Sequence, residues 1–260
     1  MTLRELVQVK YDSLNDSDLY IWSYITKNRE ECTRLTIEEL GKKCSVSRTT
    51  ILRFAKKLEL EGYSELKYYI RKDADLAMEL PAGRTIDLER LLHNYMVMLS
   101  EVKNKNFKPV CELIEHAGRI IVVGTGTVQR LVAQELQRGF MRFGVLMTVV
   151  CGHSEIGHIT EWVKEDDLVI MISLSGESSD ITTLAKELHV KNVPMISITR
   201  MASNTIARLA DQPIYVFSDE VPMEGDTVYM STTMFFSVIE ILCIRYFNYI
   251  QLKEIKSGKE

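Results

Sequence analysis

Eight residues in the second half of the chain carry the densest chemistry: Ser173-Leu-Ser-Gly-Glu-Ser-Ser-Asp180. Three hydroxyls stand at Ser173, Ser175 and Ser178, Gly176 permits close backbone approach, and a helix is expected to start at Ser178. Hydroxyl and amide donors at the positive end of a helix suit a phosphate monoester and require no buried lysine. A second polar loop, Gly124-Thr-Gly-Thr-Val128, follows the apolar run Arg119-Ile-Ile-Val-Val123. Its glycines suggest a dinucleotide fingerprint, but the third glycine would fall on Gln129. The next strand also ends in Cys151-Gly152, with no acid for a ribose. No cofactor is therefore expected.

A different chemistry lies upstream. Gly41 to Leu58 carries Lys42, Lys43, Arg48, Arg53, Lys56 and Lys57 and no acid. A charged run is usually a solvated helix face, so the pattern around it has to decide. Two helices joined by a short turn fit here. Gly41 is small where the second helix would cross, Cys44-Ser45-Val46 is the turn with Val46 as its apolar plug, and Ser47 is an N-cap. Ile51, Phe54, Ala55 and Leu58 make the inner face. Arg48, Thr49, Thr50, Arg53, Lys56 and Lys57 are left outside, as on a DNA-reading helix. Arg48, Thr49 and Arg53 are placed to meet base edges. Lys42, Lys43, Lys56 and Lys57 are placed to meet phosphates. Tyr63 or Lys67, in Gly62-Tyr-Ser-Glu-Leu-Lys67, would add a backbone contact.

Thr36–Leu58 together with Gly62–Lys67 resembles the DNA-binding half of RpiR/MurR-type bacterial transcriptional regulators, with Ser45 where glycine is frequent. The Ser173–Asp180 loop resembles the phosphate signature of sugar isomerase (SIS) domains, Ser-x-Ser-Gly-x-Thr-x-Glu, with Ser178 for the threonine and Asp180 for the glutamate. Gly124, Gly126 and Thr127 resemble the first loop of that fold, and Ile196–Ser203 and Leu209-Ala-Asp211 its later strand and helix. The resemblance implies a regulator whose binding to double-stranded operator DNA is switched by a phosphorylated sugar. It implies a homodimer or higher homo-oligomer, and control of carbohydrate-utilisation genes. Overall similarity points towards regulators of disaccharide or α-glucoside use in low-GC Gram-positive bacteria. The sugar-phosphate residues it implies are Gly124, Gly126, Thr127, Ser173, Ser175, Gly176, Ser178 and Glu224. Glu224 falls where SIS enzymes carry an acid ahead of a Ser-Thr pair, here Ser231-Thr232. An isomerase is the rival, with His153, Glu155, His158, Glu224 and Asp226 as candidate bases. Nothing arranges base, acid and substrate recognisably, and no third ligand joins His153 and His158 in a metal site. The expectation is a protein that is not an enzyme.

The elements that must hold these residues follow from periodicity. Helices are expected at Asp16–Ile25, Thr36–Lys43 and Ser47–Leu58, the last stopped by Gly62. Leu80-Pro-Ala-Gly-Arg84 is a breaker cluster, read as a linker, and an amphipathic helix follows over Ile86–Lys105. Strands are expected at 119–123, 146–150, 167–172, 194–198 and 213–217. Helices lie between them at 127–143, 178–189 and 203–209, with a weaker one at 151–163. Thr232–Ile250 is a long closing helix. Uniformly apolar strands alternating with helices imply a parallel sheet covered on both faces. The expected organisation is α/β: an all-α helix-turn-helix domain over 1–75, a linker and connecting helix over 76–106, and an α-β-α SIS domain with a five-stranded parallel sheet over 107–250. A tail takes 251–260.

Composition is consistent with this. The 260 residues are 46% hydrophobic and 26% charged, with 13 Gly and 5 Pro, which excludes collagen-like and low-complexity chains. The net charge of −4 divides into +1 over residues 1–75 and −5 over the rest. Five widely spaced cysteines without a Cys-x-x-Cys encode neither a disulfide framework nor a zinc ribbon. No run of about 18 uncharged apolar residues occurs, so no membrane association is expected. The start lacks the apolar core of a signal peptide. The expected location is the cytoplasm.

Overall fold

The structure, a computed structural model, describes residues 3–78, 88–218, 220–222 and 228–256. It divides into two compact units, one reaching His93 and the other built on the chain from Asn94.

In the first unit α1 (Leu3–Val9), a 3-10 turn at Tyr11–Ser13, α2 (Asp16–Lys27), α3 (Arg29–Cys32), α4 (Ile37–Lys43), α5 (Arg48–Lys57) and α6 (Tyr63–Met78) succeed one another. Asn15 and Asp18 form a capping box on α2, and Thr36 and Glu39 form one on α4. Each satisfies helix-end N–H groups that would otherwise lack partners. Ile21, Ile25, Leu40, Ile51, Phe54, Leu58, Leu66 and Ile70 are buried. The polar stretch between α2 and α4 holds the short α3, whose Cys32 is buried.

The expected stop of α5 at Gly62 is corrected. The helix ends at Lys57, with Glu59 in the left-handed region at φ 62°. Glu59 N–H donates to Lys56 O and Leu60 N–H to Ala55 O. These two bonds make a Schellman end, closed by buried Leu60.

The helix α7 (Leu88–Asn104) precedes α8 (Lys108–His116). The sheet unit then runs β1 (Ile120–Gly124), α9 (Thr127–Met141), β2 (Met147–Val150), α10 (His153–Gly157), α11 (Ile159–Trp162), β3 (Leu168–Ser173), α12 (Ser179–Val190), β4 (Met195–Arg200), α13 (Thr205–Leu209) and β5 (Gln212–Val216). A two-stranded pair, β6 (Glu220–Pro222) and β7 (Val228–Met230), and the helix α14 (Thr233–Lys256) follow. All four pairings of the main sheet are parallel, in the order β2-β1-β3-β4-β5.

Alternation along each strand feeds two cores. Ile120, Val122, Leu168, Ile170, Ile172, Ile196 and Ile198 face Val132, Leu136, Phe140, Phe235, Val238 and Leu242 of α9 and α14. Ile121, Val123, Val169, Met171 and Met195 face Ile156, Ile159, Ile181, Leu184 and Leu188 of α10, α11 and α12. A sheet covered on both faces accounts for strands that read as unbroken apolar runs.

Among the described residues α14 alone has the length and apolarity of a membrane span. Its inner side, Phe235, Val238, Ile239, Leu242 and Tyr246, is buried in the core. Phe236, Ile244, Phe247 and Leu252 are exposed on it. Cys32, Cys44 and Cys111 are buried, Cys151 and Cys243 half-buried, and all five are free.

Candidate functional site

The first candidate site is the outer side of α5. Gly41 has the tight approach its position requires, since a Cβ there would lie 2.9 Å from Val46 O. Ser45 adopts φ 54°, which explains why glycine is frequent at this turn position. Ser47 caps α5, its Oγ accepting from Thr50 N–H at 3.1 Å and lying 2.8 Å from Thr50 Oγ1. Thr50 is thereby engaged in the cap.

Lys42, Arg48, Thr49, Arg53 and Lys56 are exposed, the last four on the outer side of α5 by helical spacing. Lys43 is exposed but lies 2.7 Å from Glu31, and Arg48 Nη1 lies 3.0 Å from Glu38. The Lys43 ammonium holds the Glu31 carboxyl below its ordinary range, with help from the Tyr24 hydroxyl. Lys57 turns the other way. Its Nζ sits 2.5 Å from Asp18, which is only 2% exposed, so this cation neutralises a buried carboxylate.

Tyr63 and Lys67, expected to add a backbone contact, are engaged within the domain. Tyr63 Oη donates to Leu35 O at 2.9 Å, and burial pushes its hydroxyl up to about 12. Lys67 Nζ donates to Leu35 O at 2.6 Å and to Arg34 O at 3.2 Å. Arg71 Nε donates to Thr33 O. These three α6 side chains satisfy carbonyls after α3 and brace the bundle.

The second candidate site lies at the carboxyl ends of β1 and β3. The strand order places the topological reversal between these two neighbours, where open parallel sheets take ligands. Gly124 pairs with Ile172, and Thr125 N–H donates to Ile172 O, so the two polar loops leave the sheet side by side. Gly124 is needed for close packing, because a Cβ would lie 2.6 Å from Gln129 O. Gly126 is at φ 86° and precedes α9 without a side-chain cap. Ser178 precedes α12, likewise without one. Two helix N-termini without side-chain caps therefore follow the carboxyl ends of β1 and β3.

The three serines divide. Ser173 is buried, and its Oγ accepts from Gly176 N–H at 3.1 Å, so it shapes the loop from within. Ser175 is exposed, with its Oγ accepting from Glu177 N–H at 3.2 Å. Ser178 and Thr127 are exposed. Gly176 sits at φ 69°, and a Cβ would lie 2.2 Å from Asn204 Oδ1. Asn204 caps α13 through Ala207 N–H and donates to Thr199 Oγ1 and Ala202 O. Glu177 accepts from Thr205 N–H at 2.6 Å and from Thr205 Oγ1 at 2.9 Å. Asn204, Glu177 and Thr205 thus hold the loop. The Asn-Thr pair opening a helix was the available signal, but its partner in the loop was not visible in the sequence.

Of the candidate bases, His153 Nδ1 lies 2.6 Å from Asp180 at the start of α12. The hydrogen bond to Asp180 raises the imidazole and lowers the carboxyl. His158 is paired with Glu161 at 2.8 Å, and Glu155 is exposed on α10. Glu224 and Asp226, with the linker 80–84, lie outside the described residues. No cluster of metal-ligating side chains occurs among the described residues.

The model of a helix-turn-helix domain, rpiR family, matches residues 1–76, and that of a SIS domain matches residues 113–245. The HTH-type transcriptional regulator GlvR of Bacillus subtilis (strain 168) is 35% identical over 249 residues, which cover 96% of each chain. The Vibrio vulnificus NanR protein complexed with ManNAc-6P has a TM-score of 0.55 at 17% identity, covering 98% of this chain and 95% of that one. The sugar isomerase domain of an RpiR transcription factor from Sphaerobacter thermophilus has a TM-score of 0.52 at 20% identity, covering 67% of this chain and 99% of that one. At these identities the two solved structures speak for the fold.

Proposed function

The chain belongs to the rpiR family of helix-turn-helix transcriptional regulators with a SIS domain, and from that premise we propose that a phosphorylated sugar switches its binding to operator DNA. The observation that carries the switch is the juxtaposition at the β1–β3 reversal. Two polar loops and two helix N-termini without side-chain caps open there together. The phosphoryl group takes the α12 N–H groups and the hydroxyls of Ser175 and Ser178, with Gly124, Gly126 and Thr127 on its other side. Ser173 and Gly176 keep the loop in shape. Glu224 binds sugar hydroxyls. NanR, alike in fold, is solved with a phosphorylated sugar, ManNAc-6P, which supports the ligand class.

On the DNA side Arg48, Thr49 and Arg53 read base edges, and Lys42 and Lys56 meet phosphates, joined by Lys43 where a phosphate replaces Glu31 as its partner. Ser47 and Thr50 set the start of the reading helix. A homodimer presents two such helices to two half-sites. The effector acts through unequal affinity for two arrangements of that dimer, which shifts the population able to bind the operator. The genes controlled serve carbohydrate use, and the protein works in the cytoplasm without catalysing a reaction on its effector.

The test combines two assays on the purified chain. A thermal-shift screen of phosphorylated hexoses, amino sugars and disaccharides finds the stabilising ligand. That ligand is then titrated into a complex with the DNA upstream of the gene. Ser175→Ala is expected to weaken the ligand response about tenfold or more while leaving ligand-free DNA affinity unchanged. A chain that interconverts phosphosugars with turnover, or whose DNA affinity ignores every stabilising ligand, defeats the proposal.

A further inference from the structure

The cations of the reading surface are not equally available. Lys42, Arg53 and Lys56 carry no ion pair among the described residues, whereas Arg48 Nη1 lies 3.0 Å from Glu38 Oε1. Arg48 is the first residue of α5, where the positive end of the helix dipole disfavours a cation. Its side chain is 69% exposed and that of Glu38 53%, so neither is placed there by packing. Glu38 has no part in the cap of α4, which is made by Thr36 and Glu39. The contact uses one terminal nitrogen. A guanidinium carries five N–H donors in a planar fork, so the edge formed by Nε and Nη2 stays open. That edge matches the O6 and N7 acceptors of a guanine.

We propose that Glu38 is a specificity-determining residue: it offsets part of the charge that would draw Arg48 to any phosphate, while leaving the donor edge that reads a base. Non-specific binding is almost wholly electrostatic and follows the number of cations that meet phosphates. Base readout depends on the geometry of donors. A carboxylate on Nη1 therefore weakens the first more than the second, and the ratio of specific to non-specific affinity rises. The inference rests on the regulator reading above.

Binding of the full chain to its own upstream duplex and to a random duplex of equal length, across a salt series, tests it. Glu38→Gln keeps the size and one acceptor and removes the charge. The random duplex is expected to bind about threefold tighter, with its log K against log[salt] slope steeper by up to about 0.9. The ratio of upstream to random affinity is expected to fall about threefold or more. Circular dichroism and thermal unfolding establish that the variant is folded, and Glu38→Asp, which keeps the charge, is expected to retain more of the ratio. A wild-type chain with no preference for its upstream duplex overturns the regulator reading and this inference with it. A wild-type chain that has the preference, with a Glu38→Gln variant that keeps both ratio and slope, overturns the inference alone.

Discussion

The proposed reading surface of α5 and the loop Ser173–Ser178 are built on opposite plans. The first is a regular helix. Its inner residues Ile51, Phe54 and Ala55 are fully buried, and its outer residues Arg48, Thr49, Arg53 and Lys56 reach into solvent. The function proposed for it is carried by side chains on a scaffold whose period is known. The second is irregular. Its donors are backbone N–H groups and short hydroxyls, and its shape depends on Asn204, Thr205 and Glu177, the first two about 30 residues beyond the serines. A face of long side chains on a packed helix tolerates local change. A loop fixed by a left-handed glycine against a distant capping residue does not.

The largest test of that contrast is Gly176→Ala. A Cβ at φ 69° and 2.2 Å from Asn204 Oδ1 forces the loop and the α13 cap apart. The expected cost is roughly 2–5 kcal/mol of stability, seen as a fall in the denaturant midpoint, with loss of the effector response. A neutral variant would mean that the loop is as tolerant as the helix, and the comparison would fail. Next comes Arg48→Ala. It should leave the unfolding midpoint within error and weaken operator binding about tenfold to a hundredfold. Lys56→Ala should weaken operator and random DNA alike and reduce the salt slope by about 0.9. An Arg48→Ala chain that lost stability as well as affinity would show the reading face to be part of the scaffold.

The smallest effect concerns His153 and Asp180, which join α10 to the start of α12. The hydrogen bond raises the imidazole, so its contribution is fully present below the unfolded value near 6.5 and is lost as pH rises through the raised folded value. Asp180 is lowered, so its side of the pair is present above the ordinary aspartate range and lost only in stronger acid. His153→Gln should therefore unfold at a slightly lower temperature than wild type at pH 5.5 and at the same temperature at pH 9. A difference of equal size at both values would assign the residue a role other than this pairing.

Much of the architecture was legible. Five apolar runs became five parallel strands within a residue or two of their expected limits, because a sheet covered on both faces demands uninterrupted apolar residues. The helix-turn-helix followed from Gly41, Ser47 and the spacing of Ile51, Phe54 and Ala55. The helices α1, α3, α6 and α8 and the pair β6–β7 were not foreseen. All but α6 are short, and their limits are set by what they pack on rather than by a run of their own. The end of α5 was misplaced because glycine is the usual left-handed residue and Glu59 takes that role here.

The same division holds for the candidate functional residues. Residue type and helical period were enough to say which cations stand on the outer side of α5, since a period of 3.6 sorts side chains without reference to the rest of the chain. They did not say which of those cations are engaged. Lys57 turned to Asp18, 39 residues earlier, and Lys67 turned to the carbonyls of Arg34 and Leu35. They also did not say that Ser173 would face inward while Ser175 and Ser178 faced outward, or that Asn204 would hold Gly176 in place. Local spacing determines a regular element and its faces. Charge pairing and loop conformation are determined by groups that meet only when the chain is folded, and those meetings were settled by the tertiary structure.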